Sequence, residues 1–256
     1  MAWPTPVQTY VPTGTGFQSS GHVWSLTSNG TTGNTVVVLV LVNASGTVSS
    51  ITSTMGTPSA AVGSWGPGQA SVGSCSYYCY LIPITVSGNN TITVNTSGPG
   101  LGIFAQEYPG TVTGSNFNHY TQASGSNPAL TVTTSSGSVV MAFAEFSSNI
   151  VSGFTGTGTG TFTDENTGLW AWSNYGDAVY ASITGGTSAT FTWTSASIGA
   201  DITGVSLASG GGTTTATPDC AAVSVSAWAP MQGNVAPVAV AASAGVAGIT
   251  ATAGLA

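Results

Sequence analysis

The sequence predicts an all-β chain, an antiparallel β-sandwich of jelly-roll or Ig-like type. Three observations carry that expectation. The first is the run Thr35-Val-Val-Val-Leu-Val-Leu-Val42, seven aliphatic residues in eight, five of them Val. Asn29-Gly30 and Gly33-Asn34 precede it, and Asn43-Ala-Ser-Gly46 follows. A continuous apolar run this short, bounded by turn signals, reads as a strand buried on both faces. A helix is disfavoured, because β-branched residues lose χ1 freedom there and suit a pleated surface. A strand buried on both faces sits inside a sheet with a further layer over it. The second observation is the recurrence of turn signals at intervals of roughly 8–12 residues, the mark of a sandwich or barrel. The third is that no stretch carries the start, period and stop of a capped helix.

Taken in order, residues 1–20 read as an extended arm or edge strand. Pro4, Pro6 and Pro12 keep that segment out of a sheet interior, with Trp3, Tyr10 and Phe17 as anchors. Gly21–Leu26 alternates as a short strand ahead of the central run. Thr47–Thr52 is a strand with imperfect alternation, ended at Met55-Gly-Thr-Pro58. Residues 56–76 read as a Gly/Ser/Pro loop carrying Trp65. Tyr77–Val86 is the next strand, with Pro83 at a bulge or edge. Ser87-Gly-Asn-Asn90 makes a hairpin turn into Thr91–Thr96. Gly100–Tyr108 is a strand closed by Pro109-Gly110, and Ala129–Thr133 and Ser138–Phe146 follow. Phe154-Thr-Gly-Thr-Gly-Thr-Gly160 reads as a low-complexity loop. Leu169–Trp172, Asp177–Ile183, Ser188–Trp193 and Ala200–Leu207 are further strands. The sandwich domain is thus placed at 21–208. Residues 209–256 hold a Gly/Thr linker, one possible added strand at Ala222–Trp228, and an Ala/Gly-rich tail too poor in large side chains to fold alone.

Composition excludes several classes of function. The chain has 256 residues, no Lys, no Arg, seven carboxylates and two His. Nucleic-acid binding draws most of its affinity from Lys and Arg at phosphates, so that partner is not expected. Adhesion to anionic lipid is disfavoured for the same reason. No apolar stretch suits a membrane span or a signal peptide, so the expected origin is a host cytoplasm without a secretory address. Apart from the two His, no side chain here can pair ionically with a carboxylate. A buried acid therefore needs backbone donors, hydroxyls, amides or a metal. Cys75, Cys79 and Cys220 make an odd set without zinc spacing. Cys75 and Cys79 read as ordinary strand-end residues or as a local disulfide formed after release.

Four stretches resemble the jelly-roll-like β-sandwich domains of bacteriophage minor tail and other virion proteins, notably those of actinobacterial phages. Gly33-Asn-Thr-Val-Val-Val-Leu-Val40 is similar to that family's central strand. Val48-Ser-Ser-Ile-Thr-Ser-Thr-Met-Gly56 resembles its following step, Gly88-Asn-Asn-Thr-Ile-Thr-Val94 its hairpin, and Phe104-Ala-Gln-Glu-Tyr-Pro-Gly110 a strand end. The likeness spans about residues 20–208. It departs where the family step often carries Asp and then Asn: Ser53 and Thr57 stand there, which removes a carboxylate. The resemblance implies a virion component without chemistry of its own.

Candidate sites are few. Glu107 and Glu145 end similar strand patterns and would form a glycosidase pair if they faced each other; otherwise each accepts backbone or hydroxyl bonds. Asp164, Glu165 and Asp177 are the densest acidic spot and offer oxygen ligands suited to calcium, without EF-hand spacing. Trp170, Trp172, Tyr175, Tyr180 and Trp193 could form a platform for a glycan, a subunit contact or core filling. His22 and His119 share no motif, and the Gly-x-Ser-x-Gly elbow is absent, so no catalytic residue is assigned. Four Asn-x-Ser/Thr sequons, at Asn29, Asn43, Asn89 and Asn95, are what so polar a composition produces by chance.

The expectation from sequence is therefore a non-enzymatic virion protein, tail-associated or a capsid decoration. It would need no cofactor and would contact other virion proteins or copies of itself. The alternative is a carbohydrate-binding module for host adhesion.

Overall fold

The computed structural model describes residues 5–10, 18–43, 46–66, 75–98, 100–147, 151–171 and 174–210. They fall within one compact unit, Met1–Thr213. Trp3, Phe17, Trp172, Cys220, the linker from 211, the candidate strand at 222–228 and the tail lie outside the described residues.

The fold is all-β and antiparallel, a sandwich built in layers. The strand at 35–42 is its centre. This strand, β3 (Thr35–Val42), is buried at every position. It lies in the middle of a five-stranded sheet with β1 (Gln8–Tyr10), β8 (Leu101–Tyr108), β6 (Ser76–Pro83) and β5 (Gly63–Trp65), in the order β1-β8-β3-β6-β5. Both faces of this sheet are covered. Val36, Val38, Val40 and Val42 pack with Trp24, Ile92 and Val94 of a three-stranded sheet. That sheet is β2 (His22–Ser25), β7 (Thr91–Thr96) and β4 (Val48–Ser53), ordered β2-β7-β4. Val37, Leu39 and Leu41 face the other way, onto Val139, Met141, Phe143, Val205 and Leu207. Those residues belong to a six-stranded sheet: β10 (Ala129–Thr133), β13 (Asn174–Ser195), β11 (Val139–Phe146), β14 (Ile198–Ser209) and β9 (Val112–Gly125), with β12 (Val151–Ala171) paired to β13. Burial of the β3 aliphatics on both sides explains why period two is invisible there. Each such side chain contributes about 1.5–3 kcal/mol relative to exposure.

The six-stranded sheet folds back on itself. The first half of β13 pairs with β11, and its second half pairs with β10. Leu130, Val132, Ala189, Phe191 and Trp193 thereby close over Val140, Ala142, Phe146 and Ile202, a third core. The fit is tight: a Cβ on Gly204 would stand 2.8 Å from Leu130 Cδ2 and 2.9 Å from Val132 Cγ2.

Three stretches differ from expectation. Residues 154–160 are not a loop but the interior of β12, a strand of 21 residues. The Thr-Gly alternation is a strand with its apolar side left blank: Gly156 sits opposite Phe191, and a Cβ there would collide with Phe162. Residues 112–125, without a legible strand pattern, form β9, in which Val112, Phe117 and Tyr120 pack on the cores at irregular intervals. Within the expected 56–76 loop, Gly63–Trp65 forms β5. Pro83 ends β6 inside the sheet, and it is tolerated because β5 pairs only with Tyr77, Tyr78 and Cys79. Gly88 takes φ +85° in the turn before β7, as a hairpin of this kind requires.

Candidate functional site

Four of the seven carboxylates, Glu107, Glu145, Asp177 and Asp201, are buried in a chain that has no Lys or Arg. Each must be satisfied by neutral groups, and their surroundings decide what chemistry is open to them.

Glu107 is a structural hub. It lies opposite Val36 on β3 and so faces the three-stranded sheet. Gln8 Nε2 donates to its Oε2 at 2.5 Å, and Asn34 Nδ2 and the Thr31 N–H donate to its Oε1 at 2.6 and 3.1 Å. Gln8 Oε1 in turn accepts from Thr27 Oγ1 and from the N–H and Oγ of Ser28. Glu107 thus ties the short β1 and the 27–34 turn to β8.

Glu145 faces the opposite side of the central sheet. It shares the side of Met141 and Phe143 and lies directly across from Asp201 on β14. The two glutamates therefore cannot face each other as a glycosidase pair: similar sequence endings have put them on different faces of the sandwich. Cys75 Sγ donates to Glu145 Oε2, and Tyr77 Oη donates to the Asp201 carbonyl at 2.8 Å. Thr121 Oγ1 donates to Asp201 Oδ1 at 2.5 Å, and Asp201 Oδ2 has no hydrogen-bond partner. Burial pushes the Asp201 carboxyl up to about 6, against the Thr121 bond. Burial, with Glu145 and Asp201 close by, holds the Cys75 thiol far above its ordinary range, so it is not a nucleophile. Cys75 and Cys79 are both free and buried. Four residues apart along an extended strand they stand about 13 Å apart, too far for a disulfide.

Asp164 and Asp177 are close neighbours, but Glu165 turns away from Asp177 toward the central sheet. No group of three or more His, Cys, Asp or Glu suited to a metal occurs among the described residues. A register shift in β12 between Asp164 and Asn166 leaves Glu165 unpaired and re-aims it. Glu165 Oε1 accepts from Thr9 Oγ1 at 3.5 Å and from Gln106 Nε2 at 3.4 Å, on the central sheet. Asp177 turns into the third core, where Trp193 Nε1 donates to its Oδ2 at 2.5 Å. Burial, followed by the charge of Asp164, pushes Asp177 up to about 8.

Two members of the expected aromatic platform, Trp193 and Tyr180, lie in different cores. Trp193 is fully buried, with Phe146 and Phe154 each 5.7 Å away between ring centres. Tyr180 is 8% exposed and belongs to the core between the central and six-stranded sheets, not to that of Trp193. Trp170 and Tyr175 fall in the paired strands β12 and β13, beside the Ala171–Asn174 pair. An aromatic group that sequence reasoning missed lies between β5 and β9. His119 stacks on half-buried Trp65 at 4.1 Å, Phe117 packs beside them, and Tyr77 is 5.9 Å from Trp65. Burial lowers the His119 pKa, favouring the neutral ring. His22 contacts Trp24 edge to face and is remote from this group in the fold.

One outer surface is regular. Thr131, Thr190 and Thr157 stand in one rank across β10, β13 and β12, and Thr192 and Thr155 stand in the next. Thr131 Oγ1 and Thr190 Oγ1 are hydrogen-bonded at 2.8 Å, so the rank shares a face. Thr133, Ser188 and Thr194 continue it at exposed positions. Ranks on neighbouring strands lie about 4.8 Å apart, and successive ranks about 7 Å apart. The surface is neutral and lined with hydroxyls.

No family model, no curated protein and no solved structure matches the chain. Among the described residues no helix is long and apolar enough to cross a membrane. The buried acids are engaged in holding elements together, and the solvent-facing chemistry is hydroxyl and aromatic.

Proposed function

We propose that the chain is a non-enzymatic structural component of a phage virion, tail-associated or a capsid decoration, assembling through its β surfaces. The observation that carries this reading is the hydroxyl-ranked face of β10, β13 and β12. A surface of hydroxyls without charge packs against another chain by shape, methyl contact and neutral hydrogen bonds, and salt screens such contacts little. The likeness of residues 20–208 to phage virion domains supports the same reading. The protein should co-sediment with particles and stay bound in high salt. Recovery only as a free monomer, absent from particles, would overturn it.

A second reading, a host-adhesion module that binds carbohydrate, is favoured by Trp65 and His119 at the β5–β9 surface. Aromatic faces with a wet edge suit sugar rings. A glycan array would then show binding that Trp65→Ala abolishes; an array without signal would remove this reading.

A further inference from the structure

We propose that Thr9 and Gln106 become joined by an intramolecular ester, fastening the amino-terminal strand β1 covalently to β8. The residues meet by register: Thr9 and Gln106 are direct cross-strand partners in the antiparallel β1–β8 pair. Their side chains therefore lie on one face, with Cβ atoms about 5 Å apart. Gln106 Nε2 is 3.2 Å from Thr9 Oγ1, so the hydroxyl oxygen is already in contact with the amide whose carbon it would attack.

Two further groups suit the reaction. Tyr108 Oη donates to Gln106 Oε1 at 2.5 Å, and both side chains are fully buried. That bond draws electrons from the amide carbon and sits where an oxyanion would develop, in a medium where such donors count most. Glu165 Oε1 touches both the hydroxyl that must lose a proton, at 3.5 Å, and the nitrogen that must gain one, at 3.4 Å. These are long contacts of the kind that tighten as a reaction proceeds. Burial raises the Glu165 pKa, opposed by the Thr9 bond and reinforced by Asp164, which makes its carboxylate a better base. The strand irregularity at Glu165 is what brings it here.

The step balances without any co-reactant. Glu165 takes the proton from Thr9 Oγ as that oxygen bonds to Gln106 Cδ. The tetrahedral carbon holds its negative oxygen against Tyr108 Oη. Collapse breaks the Cδ–Nε2 bond, and the proton held by Glu165 leaves on the nitrogen as ammonia. Thr9 is half-buried, so ammonia has a path to solvent, and its dilution draws the exchange forward. Fixed neighbours replace the encounter that makes the same exchange slow in water.

A nearby amide lacks this set. Gln8 has its carbonyl held by Thr27 and Ser28 and its nitrogen by Glu107, but Glu107 touches neither hydroxyl and cannot take its proton. Only three residues long, β1 is a weak attachment by hydrogen bonds alone; an ester would make it withstand pulling or partial unfolding.

Intact-mass measurement on the full folded chain, held at neutral pH, tests this. The expected mass is lower than the sequence mass by one ammonia. The chain has no Lys or Arg, so a peptic or chymotryptic map is needed. It should show the loss in a linked pair of peptides containing Thr9 and Gln106, opened by hydroxylamine. Thr9→Ser should keep the link, Thr9→Val should show the full sequence mass, and Glu165→Gln and Tyr108→Phe should form the link more slowly. A wild-type chain at full sequence mass would overturn the proposal. So would a loss of ammonia that persists in Thr9→Val, which would mark ring closure at Asn29-Gly30 instead.

Discussion

Glu107 and Asp177 are equally hidden from solvent, and their surroundings differ sharply. Both are fully buried. Glu107 accepts from Gln8, Asn34 and the Thr31 backbone. Asp177 accepts from Trp193 on one oxygen, while the other has no donor and lies near the charge of Asp164. Asp201 resembles Asp177, with Thr121 as its side-chain donor and one oxygen unmatched. The difference shows how a chain without Lys or Arg buries an acid. It either surrounds the carboxylate with neutral donors, or it lets the group take up a proton. Protonation of Asp177 turns the unmatched oxygen into a donor toward Asp164, so the deficit disappears.

Substitution separates the two cases. The largest effect belongs to Glu107→Gln, which turns an amide NH₂ toward groups that are themselves donors. Urea unfolding should show a loss of about 3 kcal/mol, the scale of charged hydrogen bonds lost together with a stranded donor. A loss under about 1 kcal/mol would break the contrast. Thr121→Val comes next: it takes the Asp201 side-chain donor and keeps the shape, and should cost about 1 kcal/mol. Because Thr121 opposes the rise in the Asp201 pKa, the midpoint of that group should also move up, visible by carboxyl NMR titration. Asp177→Asn should change least when the two chains are compared at about pH 4, within about 0.5 kcal/mol, because there the amide copies the protonated acid in shape and in donor placement; as pH rises it should gain on the wild type. A loss as large as that of Glu107→Gln would show that Asp177 is held as a carboxylate.

The parts of this fold legible in sequence are those where side-chain volume itself carries the signal. β3 was readable because Val and Leu fill every position between turns. β12 was not, because Gly156 leaves its side of the strand empty and the volume there comes from Phe162, six residues on, and from Phe191 of β13. The same limit hid the sites. Glu107 and Glu145 close similar runs, and a strand apolar on both faces gives no phase from which to tell which side an acid takes. Trp193 alternates with Phe191 in sequence, but only the back-folding of β13 decides that this side is core. Thr9, Gln106 and Glu165 come from three separated strands, and no spacing joins them. The one local hint was an amide, Gln106, inside the apolar strand that runs to Tyr108.

The most direct measurement is the difference in unfolding free energy between the wild type and the Asp177→Asn, Asp201→Asn double variant as a function of pH. Both aspartates are raised above their ordinary value of 3.8, to about 8 and about 6. The native state therefore binds more protons than the unfolded chain between these values, and stability from these groups falls as pH rises. It is complete below 3.8 and lost as pH passes through about 6 for Asp201 and then about 8 for Asp177. The account predicts that the variant gains on the wild type steadily from pH 4 to pH 8, since an amide has no proton to lose. A difference that stays flat over that range, or that moves in favour of the wild type, would contradict it.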